Sequence, residues 1–367
     1  MSSASDGSSL AEWWLRFGDP LLAQLVDQAL QSNTSVSGAT AALRQARALR
    51  DASRAALFPV MNAAASAQRG SVGSGSTALS NNFSVGLDAS WELDIFGVNR
   101  SALYVSDALM QASAASLGDV QVSAAAEVAL DYISLRDTQA RLFIADENLA
   151  SQEETLQITR WRQQAGLVTL LETEQARAET EQTRALIPLL QTSIDQIIHA
   201  LGVLTGQPPT SLSTVLTDSG PLPQADDALV LAIPANTLRH RPDVRNAEYQ
   251  VGAAMARVSQ AKAARAPDFS LGGALTSSAF SVGALGGSAS LVKAIVASVT
   301  MPLIDGGARR AQVRAQIAAL EQAQSFYEAA VLLALQEVED SLAAIRGDRE
   351  RTHSLISAAE AAGNASR

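Results

Sequence analysis

The sequence predicts a mainly helical fold with a small β part, laid out twice on one plan. Three observations carry the prediction. Proline, the strongest helix breaker, is absent between Pro59 and Pro188 and again after Pro302. From Asn99 to about Gln164 the only glycine is Gly118, so a single helix on the order of 100 Å is expected there, at about 1.5 Å per residue. In Phe83, Val85, Leu87, Ala89 and Trp91, by contrast, apolar residues fall on alternate positions, with Ser84, Gly86, Asp88, Ser90 and Glu92 between them. A period of two belongs to a strand.

The plan repeats along the chain. Shifted by 208 positions, "ALQSNTSVSGATAALRQARALRDASRAALFP" lies over "TLRHRPDVRNAEYQVGAAMARVSQAKAARAP", which pairs Leu30 with Leu238 and Pro59 with Pro267. Shifted by 210, "WELDIFGVNR" lies over "MPLIDGGARR" and Glu127 meets Glu337. Each half reads helix, proline, strand, Gly/Ser-rich loop, strand, glycine, arginine, long helix. Strands are expected at about 60–69, 82–93, 268–277 and 289–302. The first long helix ends at Gly166, and a returning helix begins after Thr169, a cap that Glu172 completes as a capping box. Pro188 should kink this helix, and Gly202, Gly206, Pro208 and Pro209 close it. Residues 1–206 thus form a first repeat, 207–235 an extended proline-rich connector, and 236–367 a second repeat. With the 210 shift Arg367 falls over Gln157, so a counterpart of the returning helix is expected to be missing from the second repeat.

Composition narrows the function. Hydrophobic residues make up 47% of the 367 positions but aromatic ones only 4%, so helices packed closely through small side chains are expected rather than a core of large rings. The formal charge of -10 argues against nucleic acid, which requires clustered Lys and Arg. Cysteine is absent, which removes disulfides, thiolate metal sites and a cysteine nucleophile. "MSSASDGSSLAEWW" lacks the charged start and apolar stretch of a signal peptide. No run reaches the roughly 18 to 20 consecutive apolar residues of a membrane-spanning helix. The nearest, Leu271 to Met301, carries glycines at 272, 273, 283, 286 and 287 that argue against a helix.

Catalytic and ligand motifs are weak throughout. His199 and His353 lie on helices without a second ligand at helical spacing. In "RHRPDV", His240 stands among Arg239, Arg241 and Arg245 at a helix start that could receive an anion. The simpler reading is a helix terminus, with Pro242 at the first position and Asp243 where the dipole favours an acid. "LIDGGARR" lacks the order of a phosphate loop and reads as a tight strand-to-helix turn. Glu337, Glu339 and Asp340 share one helix and read as a solvated face or ion pairs. No catalytic residue, cofactor or metal site is assigned, and an enzyme is not expected.

A strand with one apolar and one polar face, about 9 to 11 residues long with an aromatic near its end, suits a wall between lipid and water. Four strands cannot close a barrel, and an open edge in lipid would leave amides unpaired, so several chains must contribute. The alternative is a soluble helical scaffold that binds other proteins through coiled-coil helices.

The segments "WWLRFGDPLLAQLVDQAL", "WELDIFGVNR", "GLVTLLETEQARAETEQTRALIPLL", "HALGVLTGQPP", "IPANTLRHRPDVRNAE", "MPLIDGGARRAQV" and "AVLLALQEVEDSLAA", in this order, closely resemble the outer-membrane efflux channel family, the TolC-like, NodT-type lipoproteins. The resemblance runs from Glu12 to the carboxyl end. It implies a homotrimer: long antiparallel helices forming an α-barrel in the periplasm, and four transmembrane strands per chain contributed to a shared β-barrel in the outer membrane of a Gram-negative bacterium. It further implies a passive export duct for drugs or other small molecules, working with a periplasmic adaptor and an inner-membrane transporter. The turn Gly166, Leu167, Val168 and Thr169 would then be a periplasmic tip that meets the adaptor, although it serves equally as a plain helix hairpin. Loops 70–81 and 278–288 would face outside. Phe83, Val85, Leu87 and Trp91 would face lipid, while Asp88 and Glu92 would line the lumen and favour cations modestly. The sequence departs from the family at Ala266, where an aromatic is usual, and at the lipid-attachment cysteine, which this chain lacks. The second tip, where the family places its gate, lies beyond Arg367.

Overall fold

The computed structural model describes residues 12–70, 79–224, 240–287 and 291–365. A 3-10 turn, Trp13–Phe17, leads into α1 (Pro20–Ser32) and α2 (Thr34–Ala55). Two strands follow, β1 (Val60–Gly70) and β2 (Ser80–Glu92), then α3 (Val98–Gln164), α4 (Leu170–Leu204) and the single turn α5 (Ser213–Leu216). The second series is α6 (Pro242–Ala263), β3 (Asp268–Ala279), β4 (Leu291–Thr300) and α7 (Ala308–Ala365). The helix expected from Asn99 to about Gln164 is therefore continuous, and the four strands overlap the four expected segments. Leu271 to Met301 is strand and loop with one 3-10 turn, Val282–Ala284, and holds no long helix among the described residues; 288–290 lie outside them.

Contacts divide the chain into two units, Met1–Ala41 with Leu117–Ile233, and Ala42–Ser116 with Pro234–Arg367. The division cuts across the repeats, because α2 and α3 each contribute residues to both units.

In the first unit α1 presents Leu22, Leu25, Val26 and Ala29 at one face, all at most 2% exposed. They meet Val128 and Leu135 of α3 and Ile198 and Leu201 of α4 in one cluster. Each large side chain so buried contributes about 1.5–3 kcal/mol relative to exposure. Asp19 starts α1 by accepting from the amides of Leu21 and Leu22 at 2.9 and 3.1 Å, with Pro20 at the first position. Asn33 starts α2 in the same way and donates its side-chain amide to Leu204 O at 2.9 Å, which ties the end of α4 to the α1–α2 junction.

Residues 225–235 of the connector lie outside the described residues, and its described part, 207–224, differs from the extended chain expected of it. Ser213–Leu216 is helical, and Leu212 and Leu216 are buried in the same core. Two buried side chains of α3, Arg136 and Gln139, hold the following backbone, and Tyr132 links them to Asp19. Tyr132 Oη donates to Asp19 at 2.7 Å; Arg136 donates to that hydroxyl and to Gln139 and Asp218 O, while Gln139 donates to Leu216 O at 2.7 Å. Prolines punctuate the segment, but its place is set by hydrogen bonds from α3.

Along α4 a row of half-buried and buried positions runs through Thr173, Ala176, Thr180, Thr183, Ile187, Leu190, Ile194, Ile197, Leu201 and Leu204, and Ser193, Ile198 and Gly202 widen it toward the carboxyl end. The 3-4 spacing of the row is that of a coiled-coil seam, which a helix needs when it runs antiparallel beside a neighbour. Pro188 lies inside this helix without ending it. α4 also contains an 18-residue window with mean hydropathy 1.2, long and apolar enough to cross a membrane by composition. The buried seam accounts for part of that apolarity, and the exposed Leu186, Leu189 and Val203 for more.

In the second unit the alanine-rich composition finds its use. α6 buries Val244, Ala253, Ala254, Val258 and Ala261, and α7 packs along it. Small side chains let the backbones approach, so an Asn246 amide reaches Ala112 O of α3 at 2.8 Å. α2 meets α3 through Ser53 and Ser106, whose hydroxyls are 2.7 Å apart, and through Arg50 and Asp107 at 3.3 Å.

Candidate functional site

The sheet of the second unit is wholly antiparallel in the order β1-β2-β3-β4. Its register decides whether the alternation seen in one strand becomes a property of a surface. Met61 pairs with Ala89, Ala63 with Leu87, Ala65 with Val85 and Ala67 with Phe83. Leu87 then pairs with Leu275 and Trp91 with Leu271, while Gly273 pairs with Ile295 and Phe269 with Val299. Directly paired residues share a face, so Phe83, Val85, Leu87 and Trp91 belong to one apolar face that spans all four strands. Asn62, Ser66, Gln68, Asp88, Ser90, Glu92, Asp268, Ser270 and Thr276 share the other. Asp88 and Glu92 thus stand together on the polar face, where Asn62 donates to Asp88 at 3.3 Å.

The apolar face is uncovered. Met61 is 71% exposed, Ile295 84% and Val299 61%. Both edge strands, β1 and β4, have a partner on one side only among the described residues. Water would penalise such a face and such edges; lipid and further strands would satisfy them. Trp91 closes β2 with its ring half-buried and its Nε1–H donated to Leu57 O at 3.1 Å. That combination of apolar body and satisfied polar tip is what a membrane interface favours.

Two aspartates turn strands into helices. After β2, Leu93 still donates to Phe269 O at 2.8 Å, and then Asp94 accepts from the amides of Asn99 and Arg100 at 3.0 and 2.8 Å. The Arg100 side chain returns to Asp94 O at 2.9 Å. Burial alone would raise the Asp94 carboxyl, but the Arg100 and Asn99 amides and the Arg100 guanidinium outweigh it and hold the group below the usual carboxylate range. After β4, Asp305 accepts from Gly307 N at 2.8 Å and Arg309 N at 3.1 Å, and these amides lower its pKa. "LIDGGARR" is therefore a strand-to-helix turn, as its sequence suggests. The aspartates themselves escape the sequence reading, although an acid shortly before a glycine and a helical run was their signal.

At the start of α6, Arg241 is already paired, to Asp243 through two bonds of 3.1 and 2.9 Å and to Glu337 of α7 at 2.5 Å, which leaves the simpler reading of a helix terminus. Pro242 and Asp243 occupy the first turn as expected. His199, His240 and His353 are exposed.

The second candidate feature belongs to the first unit. α3 ends in a Schellman motif, with Leu167 N donating to Arg162 O and Gly166 N to Gln163 O, both at 2.9 Å. Gly166 adopts φ 73, where a side chain would be strained. Thr169 then starts α4 in a complete capping box with Glu172. The turn Gly166, Leu167, Val168 and Thr169 is therefore tight and rigidly specified, yet it exposes Leu167 at 74%, Leu170 at 62% and Leu171 at 66%.

A two-faced sheet with open edges, joined through capped corners to helices of great length, has the architecture of a membrane-channel component. The chain belongs to the outer membrane efflux protein family, whose model matches residues 25–207 and 233–366. It is 31% identical over 361 residues to the pyoverdine export outer membrane protein OpmQ of Pseudomonas aeruginosa, covering 95% of this chain and 75% of that one. To the toluene efflux pump outer membrane protein TtgF of Pseudomonas putida it is 30% identical over 337 residues, covering 90% and 70%. Among solved structures, the outer-membrane channel OprN superposes with a TM-score of 0.89 at 37% identity, over 94% of this chain and 78% of that one. The chain is an outer-membrane efflux channel component, and the soluble coiled-coil scaffold is set aside.

Proposed function

We propose that this chain is one of three identical staves of a passive exit duct. Copies join β1 of one chain to β4 of the next, which satisfies both open edges and closes a barrel. The apolar face carrying Phe83, Val85, Leu87 and Trp91 meets lipid, and the polar face carrying Asp88 and Glu92 meets a water-filled lumen. The long helices continue the duct into the periplasm. A periplasmic adaptor docks at Gly166 to Thr169, and an inner-membrane transporter supplies energy and selects the cargo, a drug or another small molecule. No residue performs chemistry in this scheme; the lumen offers a path, and its carboxylates favour cations modestly.

The observation that carries the proposal is the register, which gathers Phe83, Val85, Leu87 and Trp91 with apolar residues of the other strands on one face and sets Asp88, Glu92 and Asp268 on the opposite one. The absence of cysteine makes the test clean. In outer-membrane vesicles, Asp88→Cys should react with a water-soluble maleimide, while Leu87→Cys should react only with a lipid-soluble one. Equal labelling of both by the water-soluble reagent would refute the barrel. Release of the chain by carbonate washing would return the scaffold reading to favour.

A further inference from the structure

The charges of the sheet are sorted by sign between its faces. The four strands hold five charged residues: Arg69, Asp88, Glu92, Asp268 and Lys293. Arg69 pairs with Asn81 and follows Met61, Ala63, Ala65 and Ala67 on the apolar face; Lys293 pairs with Leu275 on that same face. All three carboxylates stand on the polar face. Both cations are exposed, and neither makes an ion pair with a described residue.

Position is as selective as sign. Arg69 is the penultimate residue of β1 and Lys293 the third of β4, so both lie toward the loop ends of their strands, away from the helical corners at Asp94 and Asp305. Both also lie on edge strands, so a barrel closed by copies brings one chain's Lys293 and the next chain's Arg69 to the same seam. A face that merely tolerated charge near the membrane surface would show no preference for sign. A face touching anionic headgroups would admit cations and exclude carboxylates, and long basic side chains can reach such headgroups from an apolar band.

We infer that Arg69 and Lys293 form, at each seam between chains, a binding site for the phosphate of an anionic lipid headgroup at the loop end of the barrel. The inference rests on the lipid-facing reading of the apolar sheet face. The guanidinium would hold two phosphate oxygens as a fork, and the ammonium would add a point charge from the neighbouring chain.

The test uses the whole chain, purified from outer membranes, in mixed micelles of a neutral detergent with either phosphatidylglycerol or phosphatidylcholine at equal mole fraction. The melting temperature should be higher with phosphatidylglycerol, and added salt should shrink the difference. The double variant Arg69→Gln, Lys293→Gln should lose at least half of the difference, and Arg69→Lys, Lys293→Arg should keep it. An unchanged difference in the glutamine variant would overturn the inference, as would a wild type indifferent to the two lipids. Should the glutamine variant fail to accumulate, Arg69→Gln alone and Lys293→Gln alone must each reduce the difference, and the inference falls if either leaves it unchanged. The maleimide pattern of Leu87→Cys and Asp88→Cys is read separately in outer-membrane vesicles, so a failed barrel is told apart from a barrel that binds no anionic lipid.

Discussion

Arg136 is the most consequential buried charge of the first unit. It is 6% exposed and joins Tyr132, Gln139 and the carbonyl of Asp218. Removing it strands acceptors in the interior, at about 1–3 kcal/mol for each one left unpaired. Arg136→Ala should therefore lower stability by several times as much as Tyr132→Phe, which loses about 1 kcal/mol with its hydroxyl; urea unfolding would measure both. Asp94 makes a different prediction. Its carboxyl titrates below the ordinary range in the fold, so it contributes stability above its unfolded pKa and loses it as pH falls through the lower, folded value. Asp94→Asn should weaken the protein by about 1 kcal/mol at neutral pH and flatten the acid limb of a stability profile. None of these residues declares itself in the sequence. Tyr132 and Asp19 are 113 positions apart, and Arg241 and Glu337 are 96 apart, so only the folded chain shows them as partners.

At the scale of the element, local chemistry and distant packing separate cleanly. The turn between α3 and α4 was legible because its parts are neighbours: glycine for a positive φ, threonine and glutamate for the capping box. Thr169→Ala should fray the first turn of α4 at a cost of about 1 kcal/mol, seen as faster hydrogen exchange confined to the turn. Gly206→Ala should cost more than Gly166→Ala. Both glycines have positive φ, but a Cβ on Gly206 would stand 2.4 Å from Ser32 O, whereas Gly166 has open space. Leu167→Asp and Leu170→Asp, on the exposed tip, should leave the melting temperature nearly unchanged and abolish export in a cell-based efflux assay. The strand-to-helix corners were only half legible. The 210-residue shift sets Asp94 over Ile304, so the two capping aspartates, doing one job in both repeats, are hidden by a slip of one position.

For the whole molecule the decisive fact is the uncovered apolar sheet face with its unpaired edges. In the proposed barrel Leu87→Arg puts a cation on the lipid-facing side and should cost up to about 2–4 kcal/mol, seen as loss of protein from the outer-membrane fraction. Asp88→Arg, one residue away on the polar face, should assemble normally and shift conductance selectivity away from cations in planar bilayers.

What the sequence determined by itself was periodicity and punctuation. Alternation marked β2, the absence of proline and glycine marked the long helices, and caps marked where they turn, because each of these depends on residues a few positions apart. The tertiary structure decided register and partnership: that four strands add their faces together, that the connector docks on Arg136 and Gln139, and that cations and carboxylates stand on opposite sides of one sheet. Those outcomes depend on backbone hydrogen bonds between segments as far apart as β2 and β3, and no local pattern fixes which residues such bonds will set opposite each other.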